Sequence, residues 1–313
     1  MPADPILIII SARPGLAPAR GQADAIRSAV ADYWALTKPE VNLLIAIATF
    51  AGFYLACPCS LDDFPWLRLL HTLLGTLLVA SATGTLNQYI ERRFDAQMRR
   101  TARRPLAAGR LKPAAVLWFG IALASVGSIY LATAVNVLAS LLAIITLLCY
   151  LFLYTPLKRK TPACVLVGAL PGAVPTLIGW AGASGKLSFE AWILYAVLFL
   201  WQFPHFMAIA WMYREDYDRA GYIVLPHGQA RVRSVILQTM LPLVVLLPLS
   251  LLPAAIGRQS VLYCFGALFL SLGFFYYGAQ FVLRRSSAAA RRLLLASVIY
   301  LPPLFALMML PTG

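Results

Sequence analysis

The chain has 313 residues, 61% of them hydrophobic and 12% charged, with a mean hydropathy of +0.77 and a formal net charge of +14. A domain folded in water needs far more charge to cover its surface, so composition excludes an ordinary soluble protein. The positive excess does not point to nucleic acid, because Lys and Arg fall in short gaps between apolar runs, where membrane proteins keep them.

Residues 1–28 read as a flexible tail rich in Ala, Pro and Arg. Its apolar run from Pro5 to Ile10 lacks the charged start of a secretory signal, and Asp4 and Asp24 depart from the acid-poor pattern of a mitochondrial presequence. Residues 29–313 read as a single multi-pass domain. A bilayer core of about 30 Å takes roughly 20 apolar residues as a helix. Nine stretches qualify, at about 41–57, 69–90, 113–133, 135–155, 163–182, 189–211, 234–256, 260–282 and 292–311. Lipid offers the backbone no hydrogen-bond partner, so these must be helices. The expectation is an all-α bundle of nine transmembrane helices with a central cavity open to the cytoplasmic side.

With the N-terminal tail placed in the cytoplasm, only Arg68, Lys186 and Arg258 of the 26 Lys and Arg fall on the opposite side. So strong a bias supports both the orientation and the odd number of spans. Of the five cysteines, Cys149, Cys164 and Cys264 lie in apolar runs and read as small hydrophobes. Cys57 and Cys59 form a short pair with no partner cluster, which favours a structural role.

The chemistry-bearing residues begin at the end of the second span. Asn87, Glu91 and Asp95 recur every four residues, which puts an amide and two carboxylates on one helical face at the membrane edge. Charges near a bilayer interior are costly and mark binding sites. Hard oxygen donors of this kind suit Mg²⁺ shared with substrate phosphates. Arg99, Arg100, Thr101, Arg103 and Arg104 follow, and guanidinium forks match phosphate oxygens. A short loop with Lys158 and Arg159 could steady a leaving diphosphate or simply carry topology charge. After the sixth span, Glu215, Asp216 and Asp218 form a second acidic cluster, with Asp216 a candidate fourth catalytic and metal ligand. His205, inside the sixth span, is a candidate ligand for a haem iron, with His227 the second choice.

Three motifs resemble the UbiA superfamily of intramembrane prenyltransferases: Asn87-x-x-x-Glu91-x-x-x-Asp95, Thr101-x-x-Arg104-Pro105-Leu106, and Asp216-Tyr217-x-x-Ala220-Gly221-x-x-x-Leu225-Pro226. Supporting echoes are Thr37-Lys38-Pro39, the Gly168 to Trp180 segment, and Phe203-Pro204-His205-Phe206, the last pointing to the haem-modifying branch. The resemblance implies that a farnesyl group passes from farnesyl diphosphate to a vinyl group of haem B, with Mg²⁺ as cofactor. It implies Asn87, Glu91, Asp95 and Asp216 at the metal. With that reaction, Arg99, Thr101, Arg103, Arg104, Lys158 and Arg159 are the candidates for the diphosphate, and His205 and then His227 those for the haem. The resemblance further implies a cell inner membrane location with the active-site loops cytoplasmic, and it leaves open contact with a downstream haem-modifying enzyme or oxidase assembly. Glu91 stands where many superfamily members have Asp. Ala220 stands where members acting on quinone precursors have a second Asp, which weighs against the alternative acceptor, 4-hydroxybenzoate. A secondary transporter fits less well, since the acids cluster at one face and no repeat is visible.

Overall fold

The computed structural model describes residues 22–57, 60, 62–256 and 259–310, with side chains from residue 27 onward. Among the described residues every regular element is a helix: α1 (Gln22–Leu36), α2 (Pro39–Leu55), α3 (Trp66–Asp95), α4 (Pro113–Ala134), α5 (Val137–Leu148), α6 (Thr155–Leu157), α7 (Cys164–Ser184), α8 (Phe189–Met212), α9 (Arg214–Arg219), α10 (Gln229–Ala255), α11 (Val261–Arg284) and α12 (Ser287–Met308). Eight continuous rods among these are long and apolar enough to cross a bilayer, and α2, at 17 residues, is a shorter apolar ninth. The nine expected spans map onto α2, α3, α4, α5 with α6, α7, α8, α10, α11 and α12 in order. Helix α1 starts inside the stretch read as tail, and residues 1–21 lie outside the described residues. So does Cys59, and with it the Cys57–Cys59 pair.

Exposure shows which helices meet lipid. Most of α7 and α8 is buried, whereas α4, α5 and α11 turn most of their apolar surface outward. Helix α2 packs on α7, α3 on α4, and α8 touches α7, α10 and α12. The α2–α7 contact is backbone on backbone. A Cβ added at Gly52 would sit 2.0 Å from the Thr176 carbonyl oxygen, and one at Gly179 would sit 2.0 Å from that of Thr49. Small residues allow such approach, and in lipid close packing replaces the hydrophobic drive between helices.

Two local features shape the site. Helix α3 runs for 30 residues, so at ~1.5 Å per residue it outspans the hydrocarbon core and carries its last two turns beyond it. The sequence pattern ends that span near residue 90, because apolar character stops there while helix does not. Second, α5 passes into a π-helical turn over Cys149–Tyr154 before α6. Pro156 has no N–H for an α-type bond, and the Thr155 N–H reaches back to the Tyr150 carbonyl. The Thr155 hydroxyl oxygen also lies 2.8 Å from that carbonyl oxygen.

At one end of the bundle three loops interlock. The Arg100 N–H donates to Asp216 Oδ2 at 3.1 Å, tying the segment after α3 to α9. The Ile223 N–H donates to the Lys158 carbonyl at 2.7 Å, tying the segment after α9 to the one after α6. Met98, Ala220 and Tyr222 bury one another beneath these ties, flanked by Phe94 and Tyr217. Helix α1 docks alongside, through Leu36, which is fully buried, and through an Arg110–Asp32 ion pair at 2.9 Å.

Candidate active site

Under the interlocked loops lies a cavity of about 450 Å³, walled by α2, α3, the π-helical turn, α7 and α8. Its mouth is charged and its depth is apolar.

The face of α3 predicted to be functional points into it. Asn87, Glu91 and Asp95 all line the cavity and are 2%, 5% and 1% exposed. Asn87 is oriented at both ends of its amide: Nδ2 donates to Glu91 Oε2 at 2.8 Å, and Oδ1 accepts from the Thr155 hydroxyl at 2.8 Å. Lys158 donates to both Glu91 oxygens, at 2.9 and 3.1 Å. Burial by itself would depress the Lys158 ammonium, but the Glu91 carboxylate outweighs it and raises its pKa well above the usual value. Asp95 accepts from Arg104 through Oδ2 at 2.7 Å. Its Oδ1 is buried with no hydrogen-bond partner among the described residues. A buried bare carboxylate oxygen is costly unless something takes it.

That oxygen, with Glu91 and Asn87 beside it, fits Mg²⁺. No group of three His, Cys, Asp or Glu among the described residues could hold a metal by itself. Magnesium commonly uses one or two carboxylates and fills its remaining positions with phosphate oxygens and water. Two carboxylates and an amide suit an ion that arrives with a diphosphate.

The other predicted residues divide. Arg104 and Lys158 line the cavity. Thr101 is buried outside it, its hydroxyl donating to the Asp95 carbonyl at 2.9 Å, so it shapes the turn after α3. Arg99 and Arg103 are exposed and do not line the cavity, and Arg159 lies over the Phe94 ring at 4.2 Å. Asp216 is buried at the rim, outside the lining, with Oδ2 on the Arg100 N–H and Oδ1 on Arg219 at 3.1 Å. His205 borders the cavity, and its Nδ1 lies 2.8 Å from the Ser297 hydroxyl. His227 is exposed beside Arg231 and Asp218, away from the cavity.

Two lining residues, Lys38 and Tyr222, were not among the sequence candidates, and Arg100, named there in the arginine run, joins them at the mouth. Lys38 caps α2 in a left-handed conformation, φ 54°, which turns its side chain to the mouth. The turn is gripped by Asn42, which donates to the Thr37 carbonyl, and by Gln88, which donates to the Leu36 carbonyl, both at 3.0 Å. Burial, then Arg104 and Lys158, push the Lys38 ammonium down to about 7. Arg100 stacks on Tyr213 and reaches the mouth. Tyr222 presents a buried hydroxyl beside Glu91, and burial and that carboxylate push its pKa well up, so it remains a donor. Lys38 precedes an apolar run and reads as topology charge, and Tyr222 lies in a loop. The turn before α2, gripped from α2 and α3, brings Lys38 to the mouth, and the interlocking of the loops brings Tyr222. Deeper in, Tyr150 and Tyr154 pack edge-to-face at 4.9 Å, with Lys158 4.4 Å from the Tyr154 ring centroid.

Comparison with known proteins places this arrangement. Residues 43–301 match the model of the UbiA prenyltransferase family. The protoheme IX farnesyltransferase of Solibacter usitatus (strain Ellin6076) is 47% identical, over 89% of this chain and 98% of its own length. The protein of the same name from Salinibacter ruber (strain DSM 13855 / M31) is 42% identical, over 89% and 97%. Among solved structures, a digeranylgeranylglyceryl phosphate synthase superposes with a TM-score of 0.72 at 18% identity, over 90% of this chain and 97% of that one. A UbiA homologue from Archaeoglobus fulgidus bound to GPP and Mg²⁺ gives 0.60 at 14%, over 89% and 100%. At such identities these structures speak for the fold.

Proposed function

The chain belongs to the UbiA prenyltransferase family, and from that premise we propose that it transfers the farnesyl group of farnesyl diphosphate to a vinyl group of haem B, releasing diphosphate. The observation that carries the transfer is one cavity with Lys38, Arg100, Arg104 and Lys158 gathered around Glu91 and Asp95 at its mouth and apolar walls beneath. The mouth suits a diphosphate with its metal, and the walls suit a polyprenyl tail. The acceptor comes from the curated relatives, 36–47% identical and named for protoheme IX farnesyl transfer.

Asn87, Glu91 and Asp95 would hold Mg²⁺, which when bound supplies a Lewis acid that withdraws charge from the diphosphate. Lys38, Arg100, Arg104 and Lys158 donate to the diphosphate oxygens and take up the charge that grows there as the allylic C–O bond breaks. Asp216 pins the arginine-bearing loop over the mouth. The Tyr150 and Tyr154 rings offer π faces to the allylic cation, and the apolar walls keep water from it. A haem vinyl carbon attacks the cation. Water then adds to the resulting carbon centre and loses a proton, leaving a hydroxyethylfarnesyl substituent. His205 orients the porphyrin. The mouth faces the cytoplasm, in a cell inner membrane, on the side of the basic loops.

The test is direct. Membranes carrying the protein, given farnesyl diphosphate, Mg²⁺ and haem B, should yield a farnesylated haem by mass spectrometry. Product from 4-hydroxybenzoate and none from haem would overturn the acceptor.

A further inference from the structure

Ser297 on α12 is fully buried and grips two cavity side chains at once. Its carbonyl accepts from Trp201 Nε1 at 2.7 Å, and its hydroxyl lies 2.8 Å from His205 Nδ1. The same hydroxyl is 2.6 Å from the Leu294 carbonyl oxygen. A serine hydroxyl has one hydrogen and a carbonyl has none. At that distance the two oxygens would repel without a proton between them, so the hydroxyl donates to Leu294. It is left as an acceptor toward His205, which makes Nδ1 the ring nitrogen that carries hydrogen. In the neutral ring Nε2 then holds the lone pair. Nε2 has no hydrogen-bond partner among the described residues, although the ring borders the cavity. The ring is also held flat against Trp201, with centroids 4.7 Å apart and planes at 24°.

A histidine kept for packing alone satisfies both nitrogens. One whose Nδ1–H is anchored, whose plane is clamped and whose Nε2 is bare toward a cavity is set up as a metal ligand. We propose that Nε2 of His205 takes the iron of the porphyrin acceptor as an axial ligand, and that Ser297 is the positioning residue that fixes the tautomer and rotation of the ring. The proposal rests on the reading that the acceptor is haem. It also gives α12 a part in a site whose ionic residues come from other elements.

The full chain in lipid nanodiscs is titrated with ferric haem B and followed by its Soret band and electron paramagnetic resonance. Wild type should bind saturably with the spectrum of histidine-ligated haem. His205→Gly should lose that ligation, and added imidazole should restore it. Ser297→Ala should weaken haem binding about 10- to 100-fold, as loss of a group that orients a metal-bound histidine typically does, and Ser297→Thr should recover most of it. Wild-type spectra in His205→Gly, or wild-type affinity and spectra in Ser297→Ala, would overturn the proposal. So would a Ser297→Thr variant as weak as Ser297→Ala, which would mark Ser297 as packing. If wild type farnesylates haem without histidine ligation, this inference alone fails. If it neither binds nor farnesylates haem, the functional reading fails with it.

Discussion

Asp95 shows how much one atom decides. Its Oδ2 is engaged by Arg104, while its Oδ1 is sealed from water and bare. Asp95→Asn keeps the shape and removes the charge, so it should lower turnover at least about a hundredfold, the kinetic equivalent of several kcal/mol of lost metal stabilisation. An unchanged melting profile in detergent should accompany the loss. Retained turnover would remove the metal from this position. Lys38 gives a test by pH. Its ammonium pKa lies at about 7 in the folded chain, against 10.5 for an ordinary lysine. Below about pH 7 both folded and unfolded forms are protonated and the fold bears the full cost of the buried charge. Between about 7 and 10.5 the unfolded chain binds the extra proton, so the stability of the ligand-free protein should rise with pH across that window. A bound diphosphate favours the charged amine, so binding at pH 8 should take up protons. Calorimetry in two buffers of different ionisation heat checks this, and identical heats would contradict it. Tyr222→Phe removes a buried donor, and the KM for farnesyl diphosphate should rise about tenfold with folding intact.

At the scale of elements, the sequence was most readable where one period governs. The nine apolar runs fixed the spans, and the i, i+4 spacing of Asn87, Glu91 and Asp95 fixed the face of α3 that meets the cavity. It was least readable where contacts between elements decide. The left-handed turn at Lys38 depends on Asn42 and Gln88 reaching back from α2 and α3, and no local pattern announces it. Nor did the second acidic cluster announce that Asp216 would take a backbone N–H from the loop it faces. The α2–α7 contact was equally silent, since Gly52 and Gly179 are ordinary in a membrane helix until the partner is known. Gly179→Ala should force α2 and α7 apart and destabilise the protein by roughly 1–3 kcal/mol, seen as a lower melting temperature in detergent. The same change at Gly185, open to solvent side and with no atom near its Cβ, strains only its own backbone, φ 72°.

Across the whole molecule, charge asymmetry and cavity position agree. The segments after α3 and α6, which together carry nine of the 26 Lys and Arg, close the mouth with the segment after α9. A cysteine placed at exposed Arg103 should react with an impermeant thiol reagent from the cytoplasmic side, and one at Gly185 from the opposite side. The reverse pattern would invert the orientation. The expectation of sidedness came from the sequence alone, because positive charge is counted without knowing the fold. It could not tell which of the many arginines face inward, since Arg99, Arg100, Arg103 and Arg104 differ by single steps along one irregular turn.

The ties that join Arg100 to Asp216 and Ile223 to Lys158 have a consequence for how such a chain can change. The Ile223–Lys158 tie joins main-chain atoms and tolerates any exchange of side chains, whereas the Arg100 tie needs the Asp216 carboxylate. Chimaeras of these segments should keep activity when an Asp stands at 216 and lose it when that Asp is replaced.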